Sequence, residues 1–187
     1  MKKHLIVGLG NPGAQYEHSR HNVGFVIVES LPVSSKWTEQ QKGLWEEVAL
    51  EDNPKAIAIK PLTFMNKSGS AVASAAKKHG VRPENILIIH DELDIELGEV
   101  KMTFGKSAGT HKGVESVIKS LKTKKFWRVR VGIAPSKRSS RDIKDFLLTK
   151  MTSAQERKTL GNKKKILEGI LLWLEHKEKG MQRVNTP

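Results

Sequence analysis

The sequence predicts an α/β fold, a single three-layer domain over residues 1–187 with a mixed, mostly parallel twisted sheet flanked by helices. Three observations predict it. Short, branched apolar runs recur along the chain, amphipathic helical patterns fall between them, and three of the runs end in Gly, Asn or His-Asp rather than continuing. Alternating strand and helix periods favour parallel pairing through crossover helices. A chain of 187 residues, 37% hydrophobic and 28% charged, is long enough and apolar enough to bury a proper core.

The first strand is expected over residues 4–9, where Leu5-Ile6-Val7-Gly8-Leu9 is short, branched and bounded by glycine. It runs into the turn Gly8-x-Gly10-x-x-Gly13. That spacing also matches a dinucleotide-binding turn, with Glu29 near the position of a ribose-binding acid. A nucleotide site needs a helix opening at the third glycine. Residues 14–22 have no apolar face, and the next helical pattern is Val23, Val26, Ile27, Leu31, which predicts a helix over 22–31. A nucleotide-dependent oxidoreductase is therefore the minor alternative.

Strands at 45–50 and 56–60 are joined by Asp52-Asn53-Pro54, a hairpin turn, so the sheet is mixed. The second of them leads through Lys60-Pro61-Leu62-Thr63-Phe64-Met65 to Asn66 and a helix over 66–79. Ile86-Leu87-Ile88-Ile89 leads to His90-Asp91. A strand at 99–104, a helix at 112–121 and a strand at 127–133 follow. The basic loop Lys137-Arg138-Ser139-Ser140-Arg141-Asp142-Ile143-Lys144 precedes Phe146-Leu147-Leu148 and suits phosphate contact and a flap. Ser153-x-x-Glu156 has capping-box spacing at the head of a helical region over 153–177, which Gly161-Asn162 can divide. Leu160, Leu167, Ile170, Leu171 and Leu174 form its expected core stripe, with Lys163-Lys164-Lys165, Lys177 and Lys179 on the outer face.

Composition narrows function. Lys and Arg number 33 against 20 Asp and Glu, a net charge of +13 that favours polyanions such as nucleic acid. With no cysteine, disulfides, thiol nucleophiles and cysteine-ligated zinc are excluded. The start, Met1-Lys2-Lys3-His4-Leu5, imitates a signal peptide, but its apolar run is too short. No stretch is apolar enough to span a bilayer, so a cytoplasmic protein without a membrane partner is expected.

In open α/β sheets, ligands bind at the carboxyl ends of the strands. If the runs at 4–9, 56–60 and 86–90 are parallel neighbours, Asn11, Asn66 and Asp91 share one edge, and His21 reaches it from the first connection. Histidine can take a proton from water near neutral pH. A carboxylate on its other nitrogen fixes the tautomer and stabilises the imidazolium. Asparagine amides can orient water or steady an oxyanion. No Ser or Cys nucleophile motif and no metal-ligand spacing such as His-Glu-x-x-His occurs, so no metal or cofactor is expected. The plainest reaction is direct attack of water on an activated carbonyl, in a substrate whose nucleic-acid part explains the charge. The binding-module alternative is an RNA-binding α/β protein in which His21 and Asp91 are structural.

These residues stand in stretches that resemble the bacterial-type peptidyl-tRNA hydrolases. The stretches are Ile6-Val7-Gly8-Leu9-Gly10-Asn11-Pro12-Gly13, Tyr16-x-x-Ser19-Arg20-His21-Asn22-x-Gly24, Pro61-x-Thr63-Phe64-Met65-Asn66-x-Ser68-Gly69, His90-Asp91-Glu92-Leu93-Asp94 and, more weakly, Arg128-x-Arg130-x-Gly132-Ile133. Order and spacing hold from residue 5 to about 148. The resemblance implies an esterase that cleaves peptide from the 3′ ribose of tRNA. It implies that His21 activates water, Asp91 orients His21, Asn66 binds substrate and holds the water or oxyanion, and Asn11 senses a blocked α-amino group. Tyr16, Phe64 and Met65 would line the 3′-end cleft.

The chain departs from that pattern twice. The family's glycine-rich stretch and His-Asn-Gly read here Gly105-Lys106-Ser107-Ala108-Gly109-Thr110-His111-Lys112-Gly113, so a lysine stands where the substrate-contacting amide is expected; His111 and Lys112 are expected to bind substrate, the lysine through a phosphate or the ester carbonyl. Thr103 stands where the family often has a lysine facing the 5′-phosphate, and Lys101, Lys106 and Arg130 are nearby candidates to compensate. The expected partner is tRNA carrying a peptide, and the expected state is a monomer.

Overall fold

The computed structural model describes residues 2–134 and 143–186. The strands are β1 (His4–Gly8), β2 (Thr38–Gln40), β3 (Trp45–Ala49), β4 (Ala56–Pro61), β5 (Ile86–Glu96), β6 (Val100–Phe104) and β7 (Trp127–Ala134). The helices are α1 (Val23–Val28), α2 (Ser68–His79), α3 (Lys112–Leu121), α4 (Ile143–Leu148), α5 (Ser153–Thr159), α6 (Lys163–Glu175) and α7 (Lys177–Asn185). The seven strands form one sheet in the order β2-β3-β4-β1-β5-β7-β6. The inner four, β4-β1-β5-β7, are parallel. Antiparallel β3 and β2 extend one side and antiparallel β6 the other, which makes the sheet mixed as the hairpin turn predicts.

Residues of alternating parity on the strands feed two cores. Ile6, Leu87, Ile89, Val129 and Val131 pack with Val23, Ile27 and Val28 of α1 and with Ile166, Ile170 and Trp173 of α6. Leu5, Val7, Ile59, Ile86 and Ile88 pack with Ala71, Val72 and Ala75 of α2 and with Val114 and Val117 of α3. The strands read as continuous apolar runs because both sheet faces are covered.

Several boundaries differ from expectation. β5 continues to Glu96, past a register shift between Glu92 and Glu96, because pairing with β7 carries its polar second half. β2 was not expected: Thr-Glu-Gln lacks apolar alternation and is ordered by pairing with β3. The helical region splits three ways, with Gly161-Asn162 between α5 and α6 and an extended His176 between α6 and α7. The capping box is one residue earlier than its sequence signature: Thr152 Oγ1 accepts from the Gln155 N–H, and Gln155 Oε1 accepts from the Thr152 N–H. The core stripe of α6 is Ile166, Gly169, Ile170 and Trp173, while Leu171 is 40% exposed, because α7 packs against the Gly169 side. The expected phosphate-contacting loop lies largely outside the described residues.

The glycine turn has a packing role: a Cβ on Gly8 would stand 2.3 Å from the Gly24 carbonyl oxygen, and one on Gly10 2.7 Å from the Phe25 ring. Gly24, in the first turn of α1, lies so close to the sheet that a Cβ there would stand 2.4 Å from the Ile89 carbonyl oxygen and 2.5 Å from that of Leu9. The start of α1 is thus pressed onto the ends of β1 and β5, and no room is left between them for a pyrophosphate. Among the described residues, no helix is long and apolar enough to cross a membrane.

Candidate active site

Because β4, β1 and β5 are adjacent and parallel, their carboxyl ends share one edge. The chain leaving β1 carries Asn11. A 3-10 turn (Met65–Lys67) after β4 carries Asn66, and Asp91 sits within β5 itself. His21 occupies a second 3-10 turn (Arg20–Asn22) that leads directly into α1.

Asn11 is locked in place. Its backbone N–H donates to Asn22 Oδ1 at 2.9 Å, and Asn22 Nδ2 donates back to its carbonyl at 2.9 Å. Its own Oδ1 accepts the Met65 N–H at 2.8 Å, which ties the β1 connection to the β4 connection. With the oxygen engaged, Asn11 has only its Nδ2 hydrogens left to offer a ligand. Asn22 stands in the quoted motif, but nothing in the sequence shows that it holds Asn11.

His21 is buried, and its Nδ1–H donates to Asp91 Oδ1 at 2.8 Å. That bond fixes the tautomer with Nε2 unprotonated. His111 reaches the same oxygen from the other side, its Nε2 lying 3.0 Å from Asp91 Oδ1. Its Nδ1 accepts the Val114 N–H and caps α3, so the proton must be on Nε2. Two imidazoles therefore donate to one carboxylate oxygen. His111 is buried and engaged at both nitrogens, so the structure places it behind Asp91 rather than facing a ligand.

Burial opposes ionisation of Asp91, but the electrostatic attraction of His111 and His21, greatest when they are protonated, and their hydrogen bonds outweigh it and hold the carboxyl far below the ordinary carboxylate range. His90 is fully buried, donates Nδ1–H to the Asp91 carbonyl at 2.6 Å and sets its ring edge against His111. Burial first, then the neighbouring His111 and Arg128 charges, push it well below the usual histidine range, so it is neutral. His21, Asp91 and His111 bring one donor atom each within 4.8 Å of one another, a spacing a metal ion can use. The observed contacts have hydrogen-bond lengths, however, and a metal would have to displace the two protons that make them.

Asn66 is exposed, Phe64, two residues before it, is 57% exposed, and Tyr16 is half-buried. Met65 is buried over Gly113. Lys112 is exposed at the first turn of α3, pairs with Glu115 at 3.3 Å, and lines with Asn66, Lys67 and Lys119 an open groove of about 510 Å³. Lys101 and Arg130 face each other across β6 and β7; Arg130 is on the strand next to β5, opposite His90, and Lys101 one strand further out, and Arg130 Nε donates to Glu92 Oε2 at 2.9 Å. Arg128, which carried only a weak motif in the sequence, is buried. It donates to the Ser107 carbonyl, and burial, then Arg130, lowers it to about 10.

The peptidyl-tRNA hydrolase family profile matches residues 5–187. A peptidyl-tRNA hydrolase of Lactiplantibacillus plantarum is 40% identical over 172 residues, covering 91% of this chain and 92% of that one. One of Aquifex aeolicus is 36% identical over 159 residues, covering 82% and 80%. The crystal structure of peptidyl-tRNA hydrolase from Acinetobacter baumannii superposes with a TM-score of 0.90 at 30% identity, over 98% of this chain and 95% of that one. With motifs, fold and whole-chain similarity in agreement, the chain belongs to the peptidyl-tRNA hydrolase family.

Proposed function

We propose that this chain hydrolyses the ester between a peptide and the 3′ ribose of tRNA, with His21 as the base that activates water. The observation that carries the reading is the buried His21–Asp91 pair at the shared strand edge, which leaves Nε2 as a proton acceptor. In this reading Nε2 takes a proton from water as the oxygen attacks the ester carbonyl. The carboxylate of Asp91 stabilises the imidazolium that forms. The imidazolium then returns the proton to the departing 3′ oxygen as the C–O bond breaks, so that free tRNA and a peptide carboxylic acid result, and the acid loses its proton to solvent. The residues form the step without any demand for a metal or cofactor.

Asn66 binds substrate and steadies the water or the oxyanion. Asn11 offers Nδ2–H to a carbonyl of the acyl group, which supports a role in reading the blocked α-amino end. Tyr16, Phe64 and Met65 line the 3′-end cleft. Lys101, Arg130 and Lys112 meet phosphate or the ester, and His111 acts on the substrate only through Asp91. The charge of +13 supports a polyanionic partner. A monomer working as a single domain belongs to this reading, and a translation-derived substrate supports a cytoplasmic location.

The test is hydrolysis of N-acetyl-aminoacyl-tRNA against its unblocked counterpart. Cleavage of the blocked ester alone is expected. Binding of tRNA without turnover would favour the RNA-binding alternative.

A further inference from the structure

Arg20 precedes His21 and is buried, yet its guanidinium faces away from the catalytic edge. Nη1 donates to the carbonyl oxygens of Phe146, at 3.0 Å, and Thr149, at 3.2 Å. Nη2 donates to Gln155 Oε1 at 3.0 Å, and the guanidinium carbon stands 4.1 Å from the centre of the Phe146 ring. The first two acceptors lie at the carboxyl end of α4, where a helix leaves its last carbonyls without intrahelical partners. A cation there is also favoured by the helix dipole. The third acceptor, Gln155, belongs to the capping box that starts α5.

The helix at the other end of this contact is short. α4 spans six residues, and none of them is buried. A helix of that length does not hold itself in place and depends on tertiary contacts. The loop carrying His21 is fastened to the same segment at three further points. The Met151 N–H donates to the His18 carbonyl at 2.9 Å, Ser19 bridges Lys150, and His18 Nδ1 lies 3.2 Å from Glu156 Oε1. Arg20 joins α4, the loop and the head of α5 through one side chain. Among the described residues no carboxylate pairs with it, and its three hydrogen bonds there all hold these elements in register.

We propose that Arg20 is a positioning residue that caps the end of α4 and holds the loop bearing His21 in register with the α4–α5 segment. This rests on His21 being the base. A departure of about 1 Å from the reactive geometry can cost about a hundredfold in rate. Loss of the latch therefore acts on kcat through His21, because the Arg20 guanidinium is committed to acceptors of the α4–α5 segment. Lysine is a poor replacement, because a single ammonium cannot reproduce the planar fork that spans two carbonyls and a carboxamide while stacking on a ring.

The test compares Arg20→Ala, Arg20→Lys and Phe146→Ala on N-acetyl-aminoacyl-tRNA, with thermal melts alongside. We expect kcat for Arg20→Ala to fall tenfold to a hundredfold with KM within threefold. Millimolar guanidinium should restore at least fivefold. Arg20→Lys should recover little, and Phe146→Ala should lower kcat less than additively with Arg20→Ala. A second readout does not need turnover: the His21 Nδ1 proton, held by Asp91, should shift or broaden in the NMR spectrum of Arg20→Ala. An unchanged proton resonance and a kcat within twofold of the parent would overturn the proposal. If Arg20→Ala does not fold, Phe146→Ala decides, and an unchanged kcat and Nδ1 resonance there overturn it. If the parent protein has no turnover, the base assignment fails while the resonance still decides the latch.

Discussion

Replacing Asp91 with asparagine removes one charge from the centre of the site and little else. The side chain is almost completely buried, and its Oδ1 receives Nδ1–H of His21 at 2.8 Å and Nε2–H of His111 at 3.0 Å. An amide oxygen can accept both bonds, so the neutral resting state loses only the difference between charged and neutral acceptors, about 1 kcal/mol per bond. The transition state loses more, because His21 becomes an imidazolium. At 2.8 Å and an effective dielectric of about 20, the attraction between that cation and the carboxylate is about 6 kcal/mol, an upper bound of roughly four decades in rate. The amide dipole retains part of it. If the amide turns its NH2 toward His21, the wrong tautomer is favoured and the loss grows. The expected result is a fall in kcat of about 10² to 10⁴ with KM changed less than about threefold, since the carboxylate acts only as charge develops. Steady-state hydrolysis of N-acetyl-aminoacyl-tRNA reads both constants, and circular dichroism checks the fold. A folded variant that loses less than about tenfold in kcat would refute the role of Asp91.

Asn11→Asp keeps the acceptor for the Met65 N–H and removes the Nδ2 donor, so the fold should hold while kcat/KM for the blocked substrate falls about tenfold to a hundredfold; equal kcat/KM would detach Asn11 from substrate. Lys112 is exposed and, among the described residues, pairs only with Glu115, so Lys112→Asn should leave kcat/KM intact or raise it, and a drop beyond about tenfold in folded protein would contradict this. His4 is buried against Trp173, and burial, then Lys177 and Lys2, lower its pKa to about 4. The folded state therefore favours the neutral ring. Its contribution is complete above the ordinary value near 6.5 and is lost as pH falls toward 4, at most about 3 kcal/mol. Urea melts of His4→Phe between those limits should show a flatter pH dependence than the parent, and an identical slope would rule His4 out as the source.

Much of the fold and the location of the site were legible because they rest on local signals. Leu5-Ile6-Val7 and Ile86-Leu87-Ile88-Ile89 read as strands buried on both faces, and they are adjacent and parallel as the shared-edge argument required. The late helix start, expected near Asn22 and found at Val23, argued against a nucleotide site at the glycine turn, and the close approach of Gly24 to the sheet leaves no room for one. What escaped depends on tertiary partners. Thr38–Gln40 becomes a strand only because β3 offers its edge. The polar Lys177–Asn185 segment becomes a helix because Gly180 and Val184 close onto Gly169 of α6. That packing also turns Leu171 outward, while Trp173, absent from the expected stripe, is fully buried. His111 could be matched to a family position, but its bond to Asp91, 20 residues away in sequence, follows from how α3 seats on β5. The signature of Arg20 was adjacency to His21 alone, and its acceptors lie 126 to 135 residues downstream.

The most direct test of the central claim is single-turnover cleavage of N-acetyl-aminoacyl-tRNA by the parent protein and by His21→Ala, with tRNA binding measured on both. The account predicts rapid cleavage by the parent, a loss of about 10² to 10⁴ in the variant and nearly equal binding, because Nε2 of His21 removes the proton from water. Cleavage by a folded His21→Ala at close to the parent rate would contradict it and require another base at this strand edge.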